Sequence, residues 1–215
     1  MDPLSFVAWR FYYFFRDPAR RPPSGRNVLA PADGRVLYVT EVARGEVPRP
    51  VKHGVPIPLD EWMGASPVEG EGTLIGIYMT PLSVHFNRAP VPGRVTRVLP
   101  RPARGENRSM ARALMHLAWG MLPFEEAADY VLANARNTIV IDGPVPTVLV
   151  QIADRYVHAI DCFVQPGDEV AAGAKVGLIR MGSQCDLFVP RRAGVTFTCR
   201  PGDRVVAGET VLGTY

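Results

Sequence analysis

The segment PGDEVAAGAKVG (166–177) returns near the C-terminus as PGDRVVAGETVLG (201–213), both of the form PGDxVxAGxxV. In each copy the proline and the Gly-Asp pair set a tight turn, the first valine points inward, and the second glycine permits another reversal. Two such hairpins in series build a small β-sandwich with quasi-two-fold character. The surrounding segments agree. Residues 35–42, 73–79 and 93–99 are β-branched or aromatic runs between turn formers, as are NTIVID, PTVLVQIA, RYVHAIDCFV, KVGLIRM, QCDLFV and GVTFTC beyond residue 136. Residues 45–72, proline-rich and without period, read as irregular loop. MARALMHLAWGML (110–122) and PFEEAADYVLANAR (123–136) read as two short helices. A chain of 215 residues, 47% hydrophobic, suits one domain with a real core. The expected fold is therefore α+β and mostly β: a β-sandwich core, two hairpin repeats and a short helical excursion.

Paired hairpins of this form are similar to lipoyl and biotinyl carrier modules, which display a lysine at an exposed hairpin tip. This chain has only Lys52 and Lys175 among 24 basic residues, and Lys175 lies inside the first repeat rather than at a tip. A non-catalytic carrier-like module stands as an alternative with weak support. The same scarcity bears on enzyme chemistry. Lysine is a poor candidate for a Schiff base here, whereas a carbonyl made from the chain itself would serve without one.

Residues 1–26 read as an N-terminal arm and linker, and residues 27–215 as the domain. The arm carries Arg10, Arg16, Arg20, Arg21 and Arg26 against Asp2 and Asp17, which accounts for the whole formal charge of +3. It also holds Phe6, Trp9, Phe11, Tyr12, Tyr13, Phe14 and Phe15. Aromatic rings beside arginines fit the headgroup region of a membrane surface; the alternative is an arm packed on its own domain. The apolar run between Arg10 and Arg16 is far shorter than the roughly 20 residues needed to span a bilayer, and the order of residues is not that of a signal peptide. FRDPARRPPSG (15–25) reads as an extended linker. No basic stripe recurs after residue 26, which argues against nucleic acid. Cys162, Cys185 and Cys199 form no disulfide scaffold or zinc-spaced cluster, so a reduced, metal-free protein is expected.

One bond remains open on these grounds. In IRMGSQCDLFVP (179–190), Gly182 precedes Ser183 inside a strand-like run. Ser183 could be a turn residue, a nucleophile, or one side of a bond that the protein breaks in itself.

Six stretches in order carry a resemblance: FFRDPARRPP (14–23), PADGRV (31–36), MTPLSVHFNRAPVPGRV (79–95), NARNT (134–138), VQIADRYV (150–157) and CFVQPGDEVAAGAKVGLIRMGSQCDLFVP (162–190). Together they resemble the phosphatidylserine decarboxylase family in its short, single-domain (archaeal-type) form, weakening over 43–72 and 98–133. The resemblance implies self-cleavage between Gly182 and Ser183 into a β chain (1–182) and an α chain (183–215). It implies that Ser183 becomes a covalent pyruvoyl group, the cofactor, which forms a Schiff base with phosphatidylserine and releases CO2 and phosphatidylethanolamine. The two chains would stay together as a heterodimer, with a homodimer of the processed unit also allowed. A peripheral position on the cytoplasmic side of the cell membrane is expected. A pyruvoyl decarboxylase of a soluble amino acid is the nearer alternative.

The resemblance also assigns residues. Asp33 matches an acidic residue that orients a base during cleavage, although Asp-Gly alone makes good turns. His85 would relay the Ser183 proton or protonate the carbanion after decarboxylation. Longer bacterial relatives have a second histidine three residues on, where this chain has Arg88, so their Asp-His-Ser relay cannot be copied intact. Arg88, Asn87 and Asn137 are candidate substrate ligands. Asp186 is expected to shape the cleavage loop, and Cys185 to act as a small buried hydrophobe.

Overall fold

GTLIGIYM, TVLVQIA and SQCDLFVP are mostly uncharged at both odd and even positions, a pattern that needs cover on both faces of a sheet. The computed structural model describes residues 12–47, 57–63, 70–111, 115, 129–155, 157, 159–180 and 182–215, and it places these three segments at the sheet centre. In chain order the elements are β1 (Asn27–Leu29), β2 (Gly34–Val42), β3 (Glu46–Val47), β4 (Ile57–Pro58), α1 (Leu59–Met63), β5 (Gly72–Met79), β6 (Phe86–Arg88), β7 (Gly93–Arg101), α2 (Asp129–Ala133), β8 (Arg136–Asp142) and β9 (Thr147–Ala153). They continue with β10 (Ile160–Cys162), β11 (Glu169–Val170), β12 (Lys175–Ile179), β13 (Ser183–Pro190), β14 (Thr196–Phe197), β15 (Arg204–Val205) and β16 (Val211–Thr214). The fold is mostly β.

The main sheet is antiparallel throughout, in the order β11-β7-β8-β9-β13-β5-β2-β15. Two small sheets, β10-β12-β6 and β14-β16-β1, supply further strands. Ile75, Ile77, Leu149, Cys185 and Leu187 of the main sheet share one core with Val176, Ile179 and Leu212 of the small sheets. Leu74, Val148, Val150 and Phe188 share the other with Leu59, Trp62 and Met63 of α1 and Tyr130 and Val131 of α2. Alternation along β13 therefore puts Ser183, Cys185 and Leu187 toward the small sheets and Gln184, Asp186 and Phe188 toward the helices.

The PGDxVxAG repeats do not form a sandwich by themselves. Their first strands, β11 and β15, cap opposite edges of the main sheet, and their second strands, β12 and β16, enter different small sheets. Each copy meets a second echo, A-P-x-x-G-R-V, at 30–36 and 89–95. The contacts match: Gly202 N donates to Val36 O at 2.8 Å and Gly167 N to Val95 O at 2.7 Å, while Gly208 N donates to Ala30 O and Gly173 N to Ala89 O, both at 2.8 Å. The strand order is thus palindromic about the β9–β13 pair, and the serine strand lies at the pseudo-two-fold centre.

Some expectations are corrected. The stretch 45–72 contains β3, β4 and α1, and LDEWM buries Leu59, Trp62 and Met63. A five-residue helix is too short to show a period. RYVHAIDCFV yields only β10, with residues 156 and 158 outside the described set. Of the two expected helices, α2 lies within the second; most of 110–128 is outside the described residues. Residues 1–11 are outside them too, as are Lys52, His53, His116 and Met181. Residues 16–23 of the linker form no helix or strand, and the segment is fastened down along its length. Asp17 bonds Arg88 Nη2 at 2.6 Å and Lys175 Nζ at 2.8 Å. Arg20 Nη2 bonds Asp33 at 2.9 Å, Arg21 N donates to Glu209 Oε1 at 2.8 Å, and Pro22 packs on Gly173.

Candidate active site

Ser183 opens β13 with Met79 of β5 opposite it on one side and Ala153 of β9 on the other. It is fully buried, and its Oγ has no hydrogen-bond partner. A buried hydroxyl without a partner costs free energy, so a chain selected only for stability would place alanine or valine here. Gly182 has φ +52°, a left-handed conformation that favours glycine. Its carbonyl oxygen accepts a hydrogen bond from Asp154 N at 3.2 Å. A Cβ at position 182 would lie 2.8 Å from Asp154 Oδ2. The Asp154 carboxylate is itself fixed, Oδ1 accepting from Met110 N at 2.8 Å and Arg155 N at 2.6 Å. Asp154 carried no signal in the sequence beyond its place in VQIADRYV; what marks it is that Ala153 pairs with Ser183, which brings the next residue beside Gly182.

His85 lies in the loop between β5 and β6, which turns on Ser83 N donating to Thr80 O at 2.9 Å. His85 Nδ1 lies 2.9 Å from Ser83 O. A carbonyl only accepts, so Nδ1 carries the proton and Nε2 presents a lone pair. Nε2 is buried and unpartnered. Phe14, immediately before the linker and also fully buried, covers the ring at a centroid distance of 4.3 Å. Burial pushes the His85 pKa down to about 4; the Ser83 bond opposes that shift and the Arg16 charge adds to it. The imidazole is therefore neutral at neutral pH, with its Nε2 lone pair unprotonated. Its backbone is tied to the segment leading into Gly182 and Ser183 by Ile179 N donating to His85 O at 3.3 Å.

Three amides lie on the same side of the main sheet as Ser183. Asn137 Nδ2 donates to Gln151 Oε1, and Gln151 Nε2 donates to Asn87 Oδ1, both at 2.8 Å. Asn87 and Asn137 are thus brought together by Gln151, which sequence reasoning missed because a lone glutamine in a strand looks ordinary. Arg88, a candidate ligand for phosphate or carboxylate, is buried and engaged elsewhere: Nη1 donates to Gly173 O at 2.9 Å and Nη2 bonds Asp17. Among the described residues, Asp33 makes no hydrogen bond or ion pair with a histidine. It accepts from Arg20 and from Ala207 N at 2.7 Å, so what it orients is the linker that holds Phe14 over His85. Asp33→Ala is expected to lower unfolding free energy by about 2 kcal/mol in urea titration while still giving two chains; an uncut but folded variant would return Asp33 to the cleavage reaction.

On the opposite face, Asp186 accepts from Trp62 Nε1 at 2.8 Å and Gln184 Nε2 at 2.6 Å; Tyr130 donates to Gln184 Oε1. Burial raises the Asp186 pKa to about 6 against the opposing pull of these donors. The network pins β13 to α1 and α2. Cys185 points into the other core and burial pushes its thiol pKa up, so it is an inert packing group.

A buried serine hydroxyl without a partner thus follows a left-handed glycine whose carbonyl already accepts an N–H. The sequence profile of the phosphatidylserine decarboxylase family matches residues 7–213. The chain is 35% identical over 214 residues to a Methanopyrus kandleri protein provisionally named archaetidylserine decarboxylase proenzyme, covering 97% of this chain and 85% of the relative. It is 33% identical over 203 residues to the phosphatidylserine decarboxylase proenzyme of Chlorobium phaeobacteroides, covering 94% and 76%. The chain belongs to the phosphatidylserine decarboxylase family.

Proposed function

We propose that this chain is the proenzyme of a phosphatidylserine decarboxylase, cuts itself between Gly182 and Ser183, and converts phosphatidylserine to phosphatidylethanolamine and CO2. The observation that carries the cleavage site is the pairing of an unpartnered, buried Ser183 Oγ with a Gly182 carbonyl already held by Asp154 N–H. His85 Nε2 takes the Ser183 proton, and Oγ attacks the Gly182 carbonyl carbon. The negative charge that develops on the Gly182 oxygen meets the Asp154 N–H. The C–N bond breaks, its nitrogen takes up the proton, and an ester joins the two halves. Loss of the Ser183 α-proton expels the Gly182 carboxylate and leaves a dehydroalanine; water then releases ammonia and leaves a keto group at position 183. The surroundings fit such a group, since they are dry, leave the position without a competing hydrogen bond, and lie beside the donor-bearing amides. The pyruvoyl group, once present, supplies an electrophile for the substrate amine and a sink for the electrons left by CO2. His85, kept neutral, is placed to move a proton at that carbon in turnover.

We read the N-terminal arm as the membrane contact and place the enzyme on the cytoplasmic side of the cell membrane as a peripheral protein. The support is local. Tyr12 is 80% exposed, Leu82 64% and Tyr13 44%. Arg16 joins them, donating to the carbonyls of Tyr13 and Leu82 with its guanidinium 3.8 Å above the Tyr13 ring. This apolar and cationic cluster stands on the loop that carries His85, so a lipid headgroup would meet the site where it meets the surface. No described helix is long and apolar enough to cross a membrane. The paired repeats are read as the two halves of a lipoyl/biotinyl-like core, here holding the α and β chains together. The combined Tyr12→Ser, Tyr13→Ser, Leu82→Ser variant is expected to raise KM on phosphatidylserine vesicles about tenfold, from lost apolar burial, and to leave kcat on a soluble short-chain lipid unchanged. Equal loss on both substrates would remove the membrane role. Decarboxylation of free amino acids but not of either lipid would favour the soluble-substrate alternative.

A further inference from the structure

The three amides beside Ser183 form a chain with a direction. Asn137 donates to Gln151 and Gln151 donates to Asn87, so the Asn87 oxygen is taken and its NH2 group must face the other way. It faces the Met79 sulfur at 3.7 Å, a weak acceptor. Met79 is the cross-strand partner of Ser183, so the two side chains are neighbours on one face of the sheet. Reversing the chain would set the Asn87 oxygen against that sulfur, two acceptors with no proton between them. All three amides are buried. The fold makes room for the middle one at Gly177, where a Cβ would lie 2.6 Å from Gln151 Nε2.

We propose that Gln151 is a positioning residue for decarboxylation: it holds the Asn87 amide with its N–H bonds toward position 183, where they meet an oxygen of the substrate carboxylate. This rests on the reading of Ser183 as the reaction centre. The chemistry suits a neutral donor. The carboxylate loses its charge as it leaves as CO2, so a cationic clamp would hold the ground state more tightly than the transition state and slow the step. An amide donor binds the carboxylate with less of that cost.

Gln151→Glu tests the direction of the chain. The introduced carboxylate, when ionised, only accepts, so Asn87 must turn its N–H bonds to it and present oxygen to position 183. Once protonated, the same carboxyl group donates to Asn87 as glutamine does. Burial favours the protonated form and raises its pKa, which brings the switch into a workable range. With short-chain phosphatidylserine as substrate, KM relative to wild type is expected to rise at least about tenfold near pH 8.5 and return to within about twofold near pH 5.5, with kcat less affected. Asn87→Asp, which keeps the Gln151 bond but has no N–H and when ionised only accepts, should reproduce the high-pH value near pH 8.5. In an Asn87→Ala background, Gln151→Glu should cost nothing further.

A second readout is independent of turnover. In the Ser183→Ala chain, the isotope-labelled Asn87 side-chain NH2 signals should shift on titration with the same lipid when residue 151 is glutamine, and stay fixed at high pH when it is glutamate. If the wild type cleaves and turns over but Gln151→Glu keeps the wild-type KM near pH 8.5, the inference is overturned. It is equally overturned if the defect persists undiminished in the Asn87→Ala background. A wild type that neither cleaves nor decarboxylates overturns the reading of Ser183 instead, and removes the basis for the inference with it.

Discussion

Ser183→Ala is expected to give one uncut chain of 215 residues, with decarboxylation at the background rate, a loss of at least about 10⁶-fold. Alanine has no oxygen to attack Gly182 and no route to a keto group. The variant should fold as well as the wild-type precursor, because Ser183 Oγ has no partner whose bond would be lost. An unchanged urea midpoint together with an uncut band would separate lost chemistry from lost structure. Gly182→Ala sharpens the point. Its methyl group would fall 2.8 Å from Asp154 Oδ2, in a backbone conformation that costs an L-residue roughly 1–2 kcal/mol. Relief of that contact pulls the carbonyl off the Asp154 N–H, so cleavage should slow by tens of fold. Adding Asp154→Gly should restore part of the rate, since it removes the clash and leaves the φ penalty. Cleavage at the wild-type rate in Gly182→Ala alone would show that neither the left-handed turn nor the Asp154 bond matters.

His85→Gln is the second large effect. Glutamine keeps the size of the ring but cannot shuttle a proton, and loss of a general acid–base group costs typically 10²–10⁴-fold. Both the rate of chain cutting and kcat should fall in that range. The pH dependence follows from a pKa lowered to about 4. The neutral base persists down to that value, so the cleavage rate should be flat from pH 8 toward 5 and decline only near 4. Phe14 excludes water from the ring. Phe14→Ala should therefore raise the pKa toward the ordinary 6.5 and carry the acid limb up with it, which an NMR titration of His85 would show. Stability moves with the same proton. Above 6.5 the histidine is neutral folded or unfolded, and its contribution is fully present. As pH falls from 6.5 toward 4 only the unfolded chain takes up the proton, and about 3 kcal/mol is lost across that window. An acid limb that stays near pH 4 in Phe14→Ala would mean that Phe14 does not set the His85 pKa.

The central strands and the repeated turns were legible in the sequence because each rests on local chemistry: apolar runs and Pro-Gly-Asp turns. The second echo, A-P-x-x-G-R-V, was equally present but short, and its meaning lies in contacts with repeats far along the chain. α1 was hidden because five residues show no period, though Trp62 within them makes a buried bond to Asp186. Asp33 and Arg88 were candidates because their segments match the family. Their contacts with Arg20, Asp17 and Gly173 depend on how the linker crosses the domain, which no local pattern encodes. Asp154 and Gln151 went unnoticed for the converse reason. Each becomes informative only when strand register sets β9 beside β13, and register is a property of the pair.

The most direct test of the central claim is the intact mass of the purified wild-type protein under denaturing conditions. The expected result is two species: one equal to residues 1–182, and one equal to residues 183–215 but lighter by one ammonia, as a keto group in place of an N-terminal serine requires. A single folded species with the full precursor mass and no release of CO2 from phosphatidylserine would contradict it. So would a pair of fragments in which the shorter retains its amino terminus, since a cut without loss of ammonia is ordinary hydrolysis and leaves no carbonyl to do the work.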